Sequence, residues 1–146
     1  MKKDINDGMK NVIISIKGLQ SSEEGEAPIE FVTDGKYCFG LDETMLSYME
    51  SELTGMDGTK TTFRVSKNSM TMTREGTVNA EMTFQKGKKH VFLYQTPLGA
   101  TTLGVDTSRL KLGLNESGGN MEFSYNIDVD NLLLGTNSYE ISVREA

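Results

Sequence analysis

Arg74 is the residue whose type and spacing most directly suggest chemistry in this sequence of 146 residues. It follows Met70 and Met72 at intervals of two, and alternate residues of a β-strand point to the same side. We therefore expect its guanidinium to lie on the apolar side of a strand, where an unpaired charge is very unfavourable. Glu50 and Glu52 are the two carboxylates that could pair with it.

Three interpretations of Arg74 remain open at this stage. The guanidinium could anchor an anionic or carbonyl group of a ligand, because it offers a fixed fork of hydrogen-bond donors. It could instead form a buried Arg–Glu pair that closes one end of the molecule. A bulge at Gly76 could also turn the side chain outward. The two structural interpretations together outweigh the ligand anchor.

Three more side chains are candidates for the wall of a pocket. Tyr48 shares the strand face of Glu50, while Tyr94 and Thr96 end a strand at the turn that begins with Pro97. A tyrosine combines an apolar ring with one polar atom, as pocket walls often require. The alternative for Tyr94 is a core ring whose hydroxyl bonds to the backbone at a corner.

Other chemical constellations fail on inspection. The single histidine, His90, follows two lysines at the start of a strand, and the single cysteine, Cys38, cannot form an intrachain disulfide. Asn126, Asp128 and Asp130 lack the glycine and glutamate of a calcium loop and form the polar face of a strand. We predict no cofactor and no metal site.

Alternation with a period of two recurs along the chain and predicts an all-β protein. Between positions 121 and 130 every odd residue is apolar and every even residue is polar. Residues 42–53 are the only serious helix candidate, and we assign them to a strand, whereas residues 20–27 are predicted to form an acidic loop. We predict strands at about 10–19, 28–33, 36–41, 44–52, 59–66, 69–75, 78–85, 89–96, 99–106, 109–115, 120–130 and 136–144, some of them merging across bends.

Turn sequences separate these stretches, and they favour short hairpin connections. Asp34-Gly35, Asp57-Gly58 and Lys86-Gly87 are examples. A sheet of many short strands must cover its own apolar face, and a barrel does so without exposed edges. We therefore predict one domain over residues 1–146, with a frayed N-terminus at residues 1–9. Its fold is a single antiparallel up-and-down β-barrel of about eight to ten strands.

Charge and hydropathy exclude several classes of partner. The net charge is −6, and a protein that binds a phosphate backbone needs a clustered positive face. No stretch approaches the ~18 apolar residues of a membrane helix. We expect no nucleic acid, no membrane and a cytoplasmic location.

Several segments resemble the YwiB-like family of bacterial proteins. They are residues 31–37, 46–59 and 74–76, and residues 94–99 at the start of a strand reaching position 107. The one departure is Leu98, where the family usually has an aromatic residue. The resemblance implies a lipocalin-like (calycin) β-barrel in the bacterial cytoplasm and implies no activity.

Three functions follow as hypotheses. The first is a binding module that holds a small apolar or amphipathic ligand, with Arg74 and Tyr48 orienting its polar end. The second is a protein–protein interaction or structural module with a filled barrel, as a monomer or homodimer. An enzyme, using Glu50, Glu52 and Glu75, is the least favoured of the three. The predicted pocket wall consists of Met70, Met72, Met82, Phe63 and Tyr125.

Overall fold

The computed structural model describes residues 9–146, which form ten antiparallel β-strands. The strands are β1 (Lys10–Ser22), β2 (Gly25–Cys38), β3 (Thr44–Met49), β4 (Lys60–Val65), β5 (Met70–Glu75), β6 (Ala80–Phe84), β7 (Lys89–Thr96), β8 (Gly99–Asn115), β9 (Gly118–Val129) and β10 (Leu132–Glu145). A short 3₁₀ helix (Glu52–Thr54) lies between β3 and β4. Apart from Met9, the predicted frayed N-terminus lies outside the described residues. No helix within residues 9–146 is long and apolar enough to cross a membrane.

The strands follow one another around a nearly closed barrel. Each strand pairs with its sequence neighbour, and β1 also pairs with β10 over residues 12–21 and 136–145. The exception is the seam between β6 and β7, where one bridge joins Asn79 to Gln95 through two backbone hydrogen bonds of 2.9 Å. The predicted all-β fold, an antiparallel up-and-down barrel of eight to ten strands, is confirmed.

The strands merge and end in ways that the pattern only partly predicted. The stretches 28–33 and 36–38 belong to β2, which ends at Cys38, so the predicted turn at Asp34-Gly35 and the predicted strand at 39–41 are wrong. The stretches 99–106 and 109–115 both belong to β8. A bulge at Ser108 shifts the register of β8 against β9 and changes which residues face inward. The predicted strand 44–52 ends at Met49, because Ser51 caps the 3₁₀ helix by accepting a hydrogen bond from the amide of Leu53.

The predicted acidic loop at residues 20–27 is wrong. These residues extend β1 and β2 into a hairpin whose turn is Glu23–Glu24, and Gly25 follows it with φ of +114°. Most of the hairpin tip is exposed, so neither face needs apolar residues and the alternation that marks a half-buried strand is missing.

The barrel interior is filled by the inward residues of the strands. On β9, Met121, Phe123 and Tyr125 are buried, and Ile127 and Val129 are half-buried, as their alternation predicted. Aromatic rings pack closely at the centre, where the ring centres of Phe84 and Phe123 lie 5.2 Å apart. These inward side chains form one hydrophobic core.

One side of the barrel is incompletely closed, between β2 and β3. These strands pair only through residues 36–38 and 45–47, so residues 25–35 of β2 have no strand partner on this side within residues 9–146. The strands diverge beyond Gly35, where a side chain would lie 2.4 Å from the carbonyl oxygen of Ser47. We call this opening the β2–β3 cleft, and we call the end of the barrel at which β1, β3, β5, β7 and β9 finish the open end.

Candidate ligand-binding site at the open end of the barrel

Arg74 lies near the end of β5 and faces the barrel interior. Met70 and Met72 precede it on the same face and are buried, whereas the Arg74 side chain is 19% exposed. Its Nε is buried and makes no hydrogen bond to any described residue. A mostly buried cation therefore retains an unused donor at the open end.

The structure excludes the interpretation in which a bulge at Gly76 turns Arg74 outward. The pairing of β5 with β4 and β6 continues in register through Arg74, and Gly76 follows the strand in a turn with φ of +138°. A regular strand keeps Arg74 on the side of the methionines.

Glu50 is the carboxylate that lies closest to Arg74. Its side chain is fully buried, and its Oε2 is 4.0 Å from Arg74 Nε. The hydroxyl of Thr61 donates to the carboxylate at 2.5 Å and that of Thr54 at 2.9 Å. Because Thr54 belongs to the 3₁₀ helix, Glu50 also ties the β3–β4 loop to the barrel.

Tyr48 lies beside this pair and keeps its proton. It is buried, and its ring centre lies 6.3 Å from that of Phe31 across the β2–β3 cleft. Burial raises the pKa of Tyr48 far above its usual range, and the charge of Glu50 raises it further, while Arg74 lowers it. The hydroxyl therefore stays a hydrogen-bond donor at physiological pH.

A pocket of about 300 Å³ opens beside Tyr48, beneath the β2–β3 cleft. Its inner wall is the aromatic and aliphatic core, and its outer rim comes from β2 and the β3–β4 loop. The lining residues are Ile16, Gln20, Ala27, Pro28, Ile29, Phe31, Tyr48, Leu53, Thr54, Met56, Phe63, Met72, Phe123, Tyr139 and Ile141. The size lies at the lower end of the range for small-molecule sites.

Three polar residues that line this pocket, Gln20, Thr54 and Tyr139, were not among the sequence candidates. Gln20 Nε2 donates to the hydroxyl of Tyr139 at 2.8 Å, which leaves the hydroxyl proton of Tyr139 free to donate elsewhere. The ring of Tyr139 packs directly over Gly18, where a side chain would lie 2.5 Å from the ring. Gln20 was missed because it falls in the segment predicted to be a loop.

Of the six candidate site residues, Tyr48 lines the pocket, and the other five, Arg74, Glu50, Glu52, Tyr94 and Thr96, do not. Glu52 is exposed in the 3₁₀ helix, and the ion pair of Arg74 is with Glu50. Tyr94 is half-buried on β7 and packs against the core. Thr96 accepts a hydrogen bond from the amide of Leu98 at 3.1 Å, so it stabilises the β7–β8 turn.

The predicted pocket wall divides into two groups. Phe63 and Met72 line the pocket, whereas Met70, Met82 and Tyr125 are buried in the filled part of the barrel. Burial and the neighbouring Tyr139 raise the pKa of Tyr125, so this ring also stays neutral.

A larger hollow of about 720 Å³ lies on the outer face, around Lys17 and Arg109. Arg109 and Glu122 form an ion pair in this hollow, with Arg109 Nη2 3.0 Å from a carboxylate oxygen of Glu122. The smaller pocket at the open end is the one lined by the sequence candidates Tyr48, Phe63 and Met72.

Comparisons with known proteins agree with this architecture. Residues 14–141 match the family model described as "Domain of unknown function (DUF1934)". The "Uncharacterized beta-barrel protein YwiB" of Bacillus subtilis (strain 168) is 25% identical over 118 residues, which cover 81% of this chain and 82% of the relative. The crystal structure of the ywiB protein from Bacillus subtilis superposes with a TM-score of 0.84 at 22% identity, covering 95% of this chain and 94% of that one. The structural likeness concerns the fold alone.

Proposed function

The chain belongs to the family described as "Domain of unknown function (DUF1934)", and from that premise we propose that it binds a small, partly apolar molecule at the open end of its barrel. The apolar part of the ligand occupies the pocket beneath the β2–β3 cleft. An acceptor group, a carboxylate or carbonyl, points toward Tyr48 and Arg74.

The apolar part of this proposal rests on the pocket walls. Phe63, Met72 and Phe123 present aromatic and thioether surface to a space of about 300 Å³. Burial of such surface supplies most of the affinity for a small ligand, on the order of 25 cal/mol per Å² removed from water. Methionine is flexible, so the wall can adapt to ligands of different shape.

The polar part rests on one observation, which carries the proposal. The buried Nε of Arg74 has no hydrogen-bond partner among the described residues. Arg74 itself does not line the pocket, but Met72, which precedes it on the same face of β5, and Tyr48 both do. An unsatisfied buried donor costs roughly 1–3 kcal/mol, and a ligand acceptor would recover that energy. Tyr48 would supply a second donor from the pocket wall.

The test compares octanoate with 1-octanol, which share a chain and differ in the charged acceptor. We expect octanoate to bind the wild-type protein in calorimetric titration and to shift the NMR signals of Met72 and Tyr48. Arg74→Gln alone would leave Glu50 buried without its counter-charge, so the variant to use is the double substitution Arg74→Gln/Glu50→Gln. It should weaken octanoate binding by about tenfold or more, because a charge-assisted hydrogen bond is worth roughly 1.5–3 kcal/mol.

Arg109→Gln is the matched control, since Arg109 lies on the outer face. Arg109→Gln should leave octanoate binding unchanged. The affinity for 1-octanol should change little in either variant. Absence of octanoate binding, or equal weakening by both variants, would reject the proposal. Native mass spectrometry of protein purified from its host would then look for a co-purified small molecule.

The proposed setting is the bacterial cytoplasm, with the whole chain acting as one domain. The single thiol, Cys38, is half-buried and unpaired, which suits a reducing compartment. Lipocalin-like (calycin) barrels offer an analogy of fold for small-ligand binding, and analogy of fold alone does not assign a function.

A further inference from the structure

The free edge of β2 is a second feature of the open end, and it differs in kind from the pocket. Residues 25–35 are paired with β1 on one side and with no described strand on the other. An unpaired edge presents backbone N–H and C=O groups in the geometry of a strand, which is a template for an added strand. Pro28 removes one N–H from this row.

The two faces of this edge have opposite character. Ala27, Ile29 and Phe31 face inward and line the pocket beneath the cleft. A strand added to β2 would therefore place every second side chain over an apolar space. Those side chains should be aliphatic.

The solvent face of the same edge is acidic. Glu26, Glu30 and Asp34 are exposed there, four residues apart, and Lys17 of β1 lies opposite Glu30 in the register. Opposite charges on facing strands stabilise their pairing, and like charges destabilise it. The outward side chains of an added strand should be basic.

A second copy of this chain fits the edge poorly. Antiparallel self-pairing centred on Glu30 would place Glu30 opposite its copy and Glu26 opposite Asp34. Registers centred on Pro28 or Val32 also set one acidic residue against another. Registers centred on Ile29 or Phe31 avoid this and set Glu30 opposite Pro28 or Val32 instead. Because residues 25–35 contain no lysine or arginine, no self-pairing of this edge sets opposite charges against each other.

We infer that the free edge of β2 binds an extended segment of a partner protein, with basic side chains facing solvent and aliphatic side chains pointing into the β2–β3 cleft. Backbone hydrogen bonds supply the attachment, and the alternating side chains supply the selectivity. The inference does not depend on Arg74, although the aliphatic side chains would enter the pocket that the proposed small ligand occupies.

The test uses a fluorescein-labelled peptide of sequence KVTIKVTIK, blocked at both ends, and measures binding by fluorescence anisotropy. Its lysines recur every four residues, so they face Glu26, Glu30 and Asp34 in either strand direction. The peptide EVTIEVTIE keeps the strand-forming pattern and reverses the charge. We expect the basic peptide to bind the wild-type protein and the acidic peptide to bind at least about tenfold more weakly.

Two charge reversals form a matched pair. Glu30 and Glu140 both lie opposite Lys17, on its two sides, but Glu140 belongs to β10, which is paired on both edges. Glu30→Lys should weaken binding of the basic peptide by about fivefold or more, while Glu140→Lys should change it by less than about twofold. Hydrogen exchange should show new protection of amides in residues 26–34 when peptide is bound.

Equal weakening by the two variants would mean that general charge attraction explains the binding, and would overturn the inference. Binding of neither peptide, or concentration-dependent dimers with protected β2 amides, would overturn it as well. The double substitution Arg74→Gln/Glu50→Gln should retain peptide binding, so failure of the ligand proposal and failure of this inference are distinguishable.

Discussion

Glu50 illustrates how much one side chain can hold together in this molecule. Its buried carboxylate accepts hydrogen bonds from Thr61 of β4 and Thr54 of the 3₁₀ helix, and it balances the charge of Arg74. A buried pair of this kind often adds little net stability, although removal of one partner is costly. Its main consequence is to fix the β3–β4 loop beside the pocket.

Tyr37, at the opposite end of the barrel, leads to a prediction about alkaline pH. Its hydroxyl donates to the backbone carbonyl of Asn115 at 2.6 Å, and burial, with a smaller effect of Cys38, raises its pKa to about 12. Unfolded tyrosine ionises near pH 10, so between pH 10 and 12 the folded protein holds more protons than the unfolded protein. The free energy of unfolding should fall as pH rises through this window.

Urea unfolding at pH 8, 10 and 12 measures this fall. Tyr37→Phe should lower stability at pH 8 through the lost hydrogen bond and should make the decline above pH 10 shallower. Tyr94→Phe is a suitable comparison, because Tyr94 is only half-buried on β7. An unchanged slope in Tyr37→Phe would contradict the assignment.

The sequence predicted only some of the polar residues at the open end of the barrel. Arg74 could be placed inward because a regular strand preserves alternation, and the structure has Arg74 beside Glu50. The choice between Glu50 and Glu52 could not be made, since it depends on where β3 gives way to the 3₁₀ helix. Tyr139 and Gln20 meet through long-range pairing of β1 with β10, which no local pattern reveals.

At the scale of elements, the turns are where glycine is required most strictly. Gly76 joins β5 to β6 with φ of +138°, and a side chain there would lie 2.2 Å from the carbonyl oxygen of Gly58. The two turns pack backbone against backbone at the open end. Alternation of apolar and polar residues predicts strands well, but it gives no information about contacts between two turns.

Gly76→Ala should therefore destabilise the protein by about 3 kcal/mol, since it adds a steric clash to backbone strain. Gly87 offers a matched control, because its φ of +76° is also positive but its surroundings are empty within 4 Å. Gly87→Ala should cost about 1 kcal/mol. Thermal and urea denaturation of both variants would give the two values, and equal costs would show that the contact with Gly58 is unimportant.

The alternation of apolar and polar residues predicted most strands, and it failed where both faces of a strand are exposed to solvent. The β1–β2 tip was taken for a loop because its residues are polar on both sides, although its backbone is paired throughout. The bulge at Ser108 was also not predicted. Apolar residues alternate on both sides of it, and the alternation shifts by one residue there, which predicts a break between two strands. Both features depend on pairing partners that lie elsewhere in the chain.

At the scale of the whole molecule, the β1–β10 pairing and the β6–β7 seam should differ in stability. β1 is paired on both edges along its length, whereas β6 is paired with β5 and held to β7 by the single bridge at Asn79. Strands with fewer closing hydrogen bonds open more readily in the native state. Local opening should therefore begin at the β6–β7 seam.

Native-state hydrogen exchange followed by NMR tests this expectation. Amides of β6 should exchange at least about tenfold faster than those at the centre of β1, residues 13–18. Equal protection in the two strands would indicate that the barrel opens only as a unit.

The pairing of β1 with β10 has a consequence for biosynthesis. The strand that pairs with the second edge of β1 spans residues 132–145, so it leaves the ribosome after the other nine described strands. Until then the nascent chain carries an incomplete sheet in which this edge of β1 has no partner. Such sequence-distant contacts slow folding and lengthen exposure to aggregation, so we expect chaperone contact with the emerging chain to persist until β10 has left the ribosome.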